Sequence, residues 1–214
     1  MHQTIKNLNL INKELELISS KLPSIIAVSK TFPISNILPL IENGHSHFGE
    51  NKVQEALEKW KNIKENFNHV KLHMLGKLQS NKVKFALPLF DFIHSLDNEK
   101  LAKKISDEQK NYEKKPKIFI QINLGNESQK SGIKKKDLKD FHLYCKEIDL
   151  DIIGLMCIPP VEEDPNFFFK ELNQLNKNLD LKELSMGMSA DYIKAAKNFS
   201  TFLRIGSKIF GNRS

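Results

Sequence analysis

The stretch KIFIQINLGNESQKSGIKKKDLKDFHLYCKEIDLDIIGLMCI (Lys117–Ile158) holds two short, isoleucine-rich apolar runs, 117–124 and 151–158. Each has the length and composition of a buried strand. Between them, 136–148 repeats its apolar residues at three- and four-residue steps, as a helix does. Strand, helix and strand in succession argue for a parallel sheet. The same unit recurs in both directions along the chain. Strands are expected at 25–30, 46–50, 71–76, 90–96, 117–124, 151–158, 181–187 and 201–206. Helices are expected at 34–43, 53–64, 81–87, 99–112, 136–148, 166–177 and 190–198, with an amphipathic helix over 4–22 in front. Eight such units argue for a closed (β/α)₈ TIM barrel occupying residues 1–214 as one domain. An open doubly wound sheet is the alternative, but no GxGxxG loop follows the first strand.

The composition agrees with one barrel. The chain has 214 residues, 40% of them hydrophobic, enough for a sizeable core. It has no apolar run of eighteen residues, and its start, MHQTIKNLNLINKE, has no apolar signal region. Two cysteines, Cys145 and Cys157, form neither a CxxC pair nor a disulfide framework. A cytoplasmic protein with reduced thiols is expected, without membrane contact. The net charge is +7, but the lysines are dispersed. No aromatic residues interleave with the tightest runs, GIKKKDLK and YEKKPK, as a single-strand binder would need. A lysine-rich surface is expected rather than a nucleic-acid site.

Chemistry in a barrel sits at the C-terminal ends of the strands. The first strand delivers Lys30 there and the second delivers Glu50 and Asn51. The fourth delivers His94, and the sixth Met156 and Cys157. The last two strands run into SMGMSAD and RIGSKIFG. Barrels often bind phosphate with the loops after strands seven and eight. Gly187 and Gly206 let the backbone approach an anion, Ser189 and Ser207 supply hydroxyls, and Ser189 suits the N-cap of a helix starting near Ala190. A lysine beside such a site, its pKa lowered by desolvation and nearby cations, is a nucleophile toward carbonyls. An aldehyde-bearing phosphate uses both features, and pyridoxal 5′-phosphate (PLP) is such a ligand. Arg204 fits the same picture. It interrupts the apolar run FLRIG in a chain where 31 of 33 basic residues are lysine. A planar, permanent charge there suits the pyridine nitrogen and would keep the ring a weak electron sink.

The stretches AVSKTFP, HFGENKVQE, HMLGKLQSNK, IHSLDN, IQINLGNESQKSGI, GLMCIPP, LSMGMSADY and RIGSKIFG resemble those of the YggS/PROSC (PLPBP) family of pyridoxal phosphate homeostasis proteins. The resemblance implies the barrel of the alanine racemase N-terminal domain. It implies an internal aldimine at Lys30 and a phosphate held by Ser189, Gly206 and Ser207 with the backbone near Met188. It also implies a contact of Arg204 with the pyridine nitrogen, and Asn51 of the GEN motif in the site wall. It implies a cofactor carrier without established catalytic activity, with PLP-dependent apo-enzymes as candidate partners. Two departures stand out. Asn198 and Phe199 occupy positions where the family usually has a small residue and glycine, and the chain ends in GNRS rather than the usual Asp-Tyr.

Other readings carry less. His45 and His47 could share a strand face, and His69 and His73 a helix face, as metal ligands, but neither pair has a third ligand nearby. A racemase needs acid and base groups on both faces of its substrate carbon. None of Tyr112, Tyr144 and Tyr192 falls at an expected strand tip. Cys157 reads as inert rather than as a reactive thiol. No large apolar surface is evident, so a monomer is expected.

Overall fold

A computed structural model describes residues 1–125, 127, 129 and 131–211. Asn212, Arg213 and Ser214 of the GNRS ending and three residues of IQINLGNESQKSGI (Asn126, Ser128 and Lys130) lie outside the described residues. Eight strands form the inner wall: β1 (Ser24–Val28), β2 (His47–Glu50), β3 (Lys71–Met74), β4 (Phe92–Leu96), β5 (Lys117–Ile122), β6 (Ile152–Cys157), β7 (Glu183–Met188) and β8 (Phe202–Ile205). Each pairs in parallel with the next, and β8 pairs with β1, so the sheet is a closed barrel. All eight expected strands are present, with ends within two residues of those read from the sequence.

The outer layer holds α1 (Gln3–Glu16), α2 (Ile34–Glu42), α3 (Val53–Asn66), α4 (Val83–Ala86), α5 (Glu99–Gln109), α6 (Leu138–Glu147), α7 (Pro165–Asn178), α8 (Tyr192–Lys197) and α9 (Ser207–Phe210). Two expectations need correction. The first helix stops at Glu16, not Leu22. Leu17 is 86% exposed, and the Ser19-Ser20-Lys21 segment leads as coil into Pro23, which disfavours helix in the residue before it. The expected helix over 81–87 is a 3₁₀ turn, Ser80–Lys82, followed by the single turn of α4.

The alternation of each strand divides the apolar residues between two compartments. Phe48, Trp60, Leu72 and Phe169 fill the space between barrel and helices. Ile26, Phe92, Phe119, Met156 and Phe202 form a separate cluster. Each fully buried side chain of this size contributes about 1.5–3 kcal/mol. α1 packs against α2, α8 and α9, and Asn7 donates to the Ile209 carbonyl (2.9 Å). At the barrel top, a Cβ on Gly76 would lie 2.3 Å from the Asn51 carbonyl oxygen, so only glycine lets these two strand ends meet.

Phe199 occupies a backbone position that favours glycine. It follows α8 with φ 69°, and the Phe199 N–H meets the Ala196 carbonyl while the Ser200 N–H meets the Ala195 carbonyl. This is the two-bond helix terminator in which a left-handed residue is favoured and a Cβ is penalised. The Phe199 ring is 70% exposed, and the Lys177 ammonium lies over it at 5.7 Å. Phe199→Gly is therefore expected to stabilise the fold by about 0.5–1 kcal/mol, raising Tm by roughly 1–4 °C in thermal unfolding. A lowered Tm would mean that the Lys177 contact outweighs the backbone strain.

Candidate functional site

The pairing of β1 with β8 sets Ile26 beside Arg204 and Ala27 beside Ile205. The tip of the first strand and the last βα loop therefore share one wall of the barrel mouth. There, a cavity of about 570 Å³ is lined by Lys30, Asn51, Met188, Ser189, Arg204, Gly206 and Ser207, the seven residues singled out from the sequence. Val28, Phe32, Leu75, Ile158, Ala190 and Gly211 complete its wall. Of these, Val28 ends β1 and Leu75 directly follows β3. Phe32 is placed by stacking on Phe210, with centroids 5.0 Å apart.

Lys30 lies two residues past the end of β1, not within the strand. It is the second residue of the turn Ser29–Phe32, closed by Phe32 N–H to the Ser29 carbonyl (3.2 Å). The end of β7, next to β8, is shaped by Gly187. Its φ is +89°, and a Cβ there would lie 2.4 Å from the Cβ of Ala195. The β7–β8 register shifts between Ser185 and Met188, bringing Met188 beside Arg204.

Ser189 does not cap a helix. α8 starts only at Tyr192, and Ser189 Oγ instead accepts from the N–H groups of Gly206 (3.3 Å) and Lys208 (3.4 Å). The hydroxyl thus ties the loop after β7 to the loop after β8. Two main-chain N–H groups converge on an oxygen at this end of the cavity, the donor type that suits a phosphate oxygen. These residues fit a phosphate-bearing ligand.

Arg204 is 6% exposed. Its Nη1 donates to Ser185 Oγ (2.7 Å) and its Nη2 to the Cys157 carbonyl (2.8 Å). Both partners are uncharged, and burial pulls the guanidinium below the ordinary arginine range. Among the described residues no carboxylate bonds to it, and the Asp191 charge only partly offsets the burial. A buried cation held this way is costly for folding alone and marks a functional position. Cys157 is buried, and burial pushes its thiol up to about 12, so it is inert.

Below Arg204 runs a file of polar groups that the sequence reading missed. Ser185 Oγ meets His94 Nδ1 (2.8 Å), His94 Nε2 meets His73 Nδ1 (2.9 Å), and His73 Nε2 meets His47 Nδ1 (2.8 Å). His73 stacks on Phe92 and His94 on Phe119. The available signal was a histidine in each of three consecutive strand candidates. His47 therefore pairs with His73 rather than sharing a ligand set with His45, whose Nε2 reaches the His47 carbonyl (3.0 Å). His73 is in β3 rather than on a helix with His69. Among the described residues, no group of three His, Cys, Asp or Glu side chains could hold a metal ion.

A description of the alanine racemase N-terminal domain matches residues 6–214. This barrel with its cavity at the strand ends is that domain. The pyridoxal phosphate homeostasis protein of Haemophilus influenzae is 35% identical, covering 97% of this chain and 95% of its own. That of Escherichia coli is 34% identical, covering 89% of this chain and 86% of its own. The chain belongs to the family of pyridoxal phosphate homeostasis proteins. Among solved structures, PipY of Synechococcus elongatus, known with and without PLP bound, is 32% identical with a TM-score of 0.87 over 98% of this chain and all of its own. An alanine racemase of Clostridium difficile, 14% identical, shares the fold over 57% of its length with a TM-score of 0.74.

The buried histidines set the acid response. Burial, and then His94 and His47, hold His73 well below the ordinary value of 6.5. Burial and then Arg204 do the same for His94. Burial brings His45 down to about 4, and it lowers His47 against the opposing pull of Asp91. These groups stay neutral when folded and take up protons when unfolded, so the unfolded state binds more protons below pH 6.5. Stability is full above that pH and is lost as pH falls toward the folded values. Each of His73 and His94 is expected to contribute a slope of up to about 1.4 kcal/mol per pH unit below pH 6. Urea unfolding at pH 7.5, 6.0 and 5.0 measures it, and a midpoint unchanged down to pH 5 would show that the file is protonated in the folded state.

Proposed function

We propose that the protein binds PLP in the cavity at the barrel mouth and serves PLP homeostasis in the cell, without catalytic turnover. The carrying observation is the pair of Arg204, buried and with no carboxylate bonded to it among the described residues, and Lys30, both lining one cavity whose Ser189 hydroxyl gathers two main-chain N–H groups. The family of the chain and the PLP-bound PipY relative support the same reading. Bound PLP supplies an aldehyde that reacts with amines. Lys30 attaches it covalently. Ser189, Gly206 and Ser207, with the Met188 backbone, hold its phosphate, and Arg204 faces its ring nitrogen. Asn51 and the apolar side chains Val28 and Leu75 complete the wall around the ring. An arginine at that nitrogen keeps it unprotonated, which limits the ring's capacity to absorb charge from a substrate.

The shared fold makes an amino-acid racemase the second reading. Racemisation needs a second proton-carrying group, and of the described residues lining the cavity only Lys30 and Arg204 are titratable. The Tyr192 hydroxyl is committed to Glu14 and Lys208. The proposed form is a single-domain monomer in the cytoplasm with PLP-dependent apo-enzymes as recipients. Both cysteines are buried, and no helix among the described residues is long and apolar enough to cross a membrane.

Borohydride reduction of PLP-loaded protein, then peptide mapping, is expected to find a pyridoxyl group on Lys30. A label confined to other lysines would overturn the assignment. Loaded protein incubated with L-alanine in deuterated buffer is expected to leave the configuration unchanged. Inversion at about 1–10³ s⁻¹, the usual enzyme range, would establish the racemase instead.

A further inference from the structure

Thr31, directly after Lys30, has φ 69°. It is the third residue of the Ser29–Phe32 turn, a place for positive φ that ordinarily takes Gly or Asn. A β-branched residue is strained there, so something outside the turn must hold it. That support comes from α3. Glu55 Oε1 accepts from the Thr31 N–H at 2.6 Å. The same oxygen accepts from Lys59 Nζ at 2.9 Å, one helical turn further on. Lys59 Nζ also donates to the Ser29 carbonyl (3.0 Å) and to Glu50 Oε1 (3.0 Å). All three ammonium protons therefore have acceptors, and the side chain is only 11% exposed. Glu50 is fully buried, and its Oε1 also accepts from Ser29 Oγ (2.8 Å) and Trp60 Nε1 (2.9 Å). The peptide groups on the two sides of Lys30 are thus gripped by one ion pair.

We propose that Glu55 and Lys59 are positioning residues for the Lys30 amine: they hold Ser29 and Thr31 so that Lys30 is presented to the cavity before any ligand arrives. The inference rests on the PLP reading of that cavity. Neither side chain lines the cavity, so both act through the Lys30 backbone. Burial alone would raise the Glu55 carboxyl, but the bonds from Lys59 and Thr31 outweigh it and keep the group below its ordinary value. The charge that grips Thr31 is therefore present at neutral pH.

The test is PLP titration and rapid-mixing absorbance on wild type, Glu55→Ala, Glu55→Gln, Thr31→Gly and the double variant Thr31→Gly/Glu55→Ala. Borohydride trapping reports attachment at Lys30, and thermal unfolding of the unloaded proteins reports folding. Glu55→Ala is expected to weaken PLP binding by roughly 10–100-fold, the scale on which a misplaced reacting group acts. Thr31→Gly should restore most of that loss, because glycine takes the left-handed conformation without help. Glu55→Gln keeps an acceptor for Thr31 and should fall between. If Glu55→Ala does not fold, Glu55→Gln with and without Thr31→Gly gives the same comparison. Wild-type binding in the Glu55 variants, or a loss that Thr31→Gly leaves unrepaired, overturns the positioning role while Lys30 labelling of wild type stands. Wild type that takes no label on Lys30 overturns the PLP reading, and the positioning role falls with it.

Discussion

The pairing of the first strand with the last, Ser24 against Phe202 and Ile26 against Arg204, is the contact on which the site depends. It joins segments from opposite ends of the chain, so it forms only when the intervening strands are in register. The entropy of closing so long a loop grows only slowly with its length, and the neighbouring strand pairs offset it. Once the pairing exists, the turn after β1 and the loop after β8 face one cavity. The pairing brings the Lys30 turn to the same wall as Gly206 and Ser207. Remaining adjustments are local: the Ser185–Met188 register shift, the positive φ of Gly187 and the Ser189 hydroxyl that ties the last two loops.

Within this frame, charge is distributed in two ways. Around α3, Lys59 is paired with both Glu50 and Glu55 and all three of its protons find acceptors, which makes a largely buried ion-pair cluster tolerable. Among the described residues Arg204 has no bonded carboxylate; it donates to a hydroxyl and a carbonyl, and the Asp191 charge only partly offsets its burial. The first arrangement stiffens the scaffold. The second leaves a permanent positive charge at the floor of the cavity, its cost carried by the rest of the fold. Such local exceptions to good packing economy are where function concentrates.

Much of this was legible in the sequence because it depends on period and position. Alternation of apolar runs gave the eight strands, and position at a strand tip gave Lys30 and Asn51. The rarity of arginine drew attention to Arg204. What escaped depends on partners distant in sequence. The hydroxyl of Ser189 was read as a helix cap because local spacing permits it, whereas its true donors belong to the loop after β8. Glu55 looks like any first-turn helix acid, and only the fold brings it to Thr31. The histidines occupy strand candidates individually, but their contact requires knowing that β2, β3 and β4 present them to one another. The end of α1 was overextended because Ile18 and Leu22 keep the helical spacing past the point where the chain turns.

The file beneath Arg204 also has a direction. A neutral imidazole owns one N–H and one lone pair, so the tautomer of each ring dictates that of the next. Arg204 can only donate, which makes Ser185 Oγ an acceptor on that side. The Ser185 proton then goes to His94 Nδ1, its remaining partner among the described residues. His94 must carry its proton on Nε2 and give it to His73 Nδ1, and His73 in turn gives its Nε2 proton to His47 Nδ1. A single guanidinium at the mouth thereby orders the protons on three aromatic rings down the barrel axis, and leaves the last N–H at His47, where the barrel opens at its other end. The interior of the barrel is polarised like a row of aligned magnets, and reversing any one ring requires reversing them all.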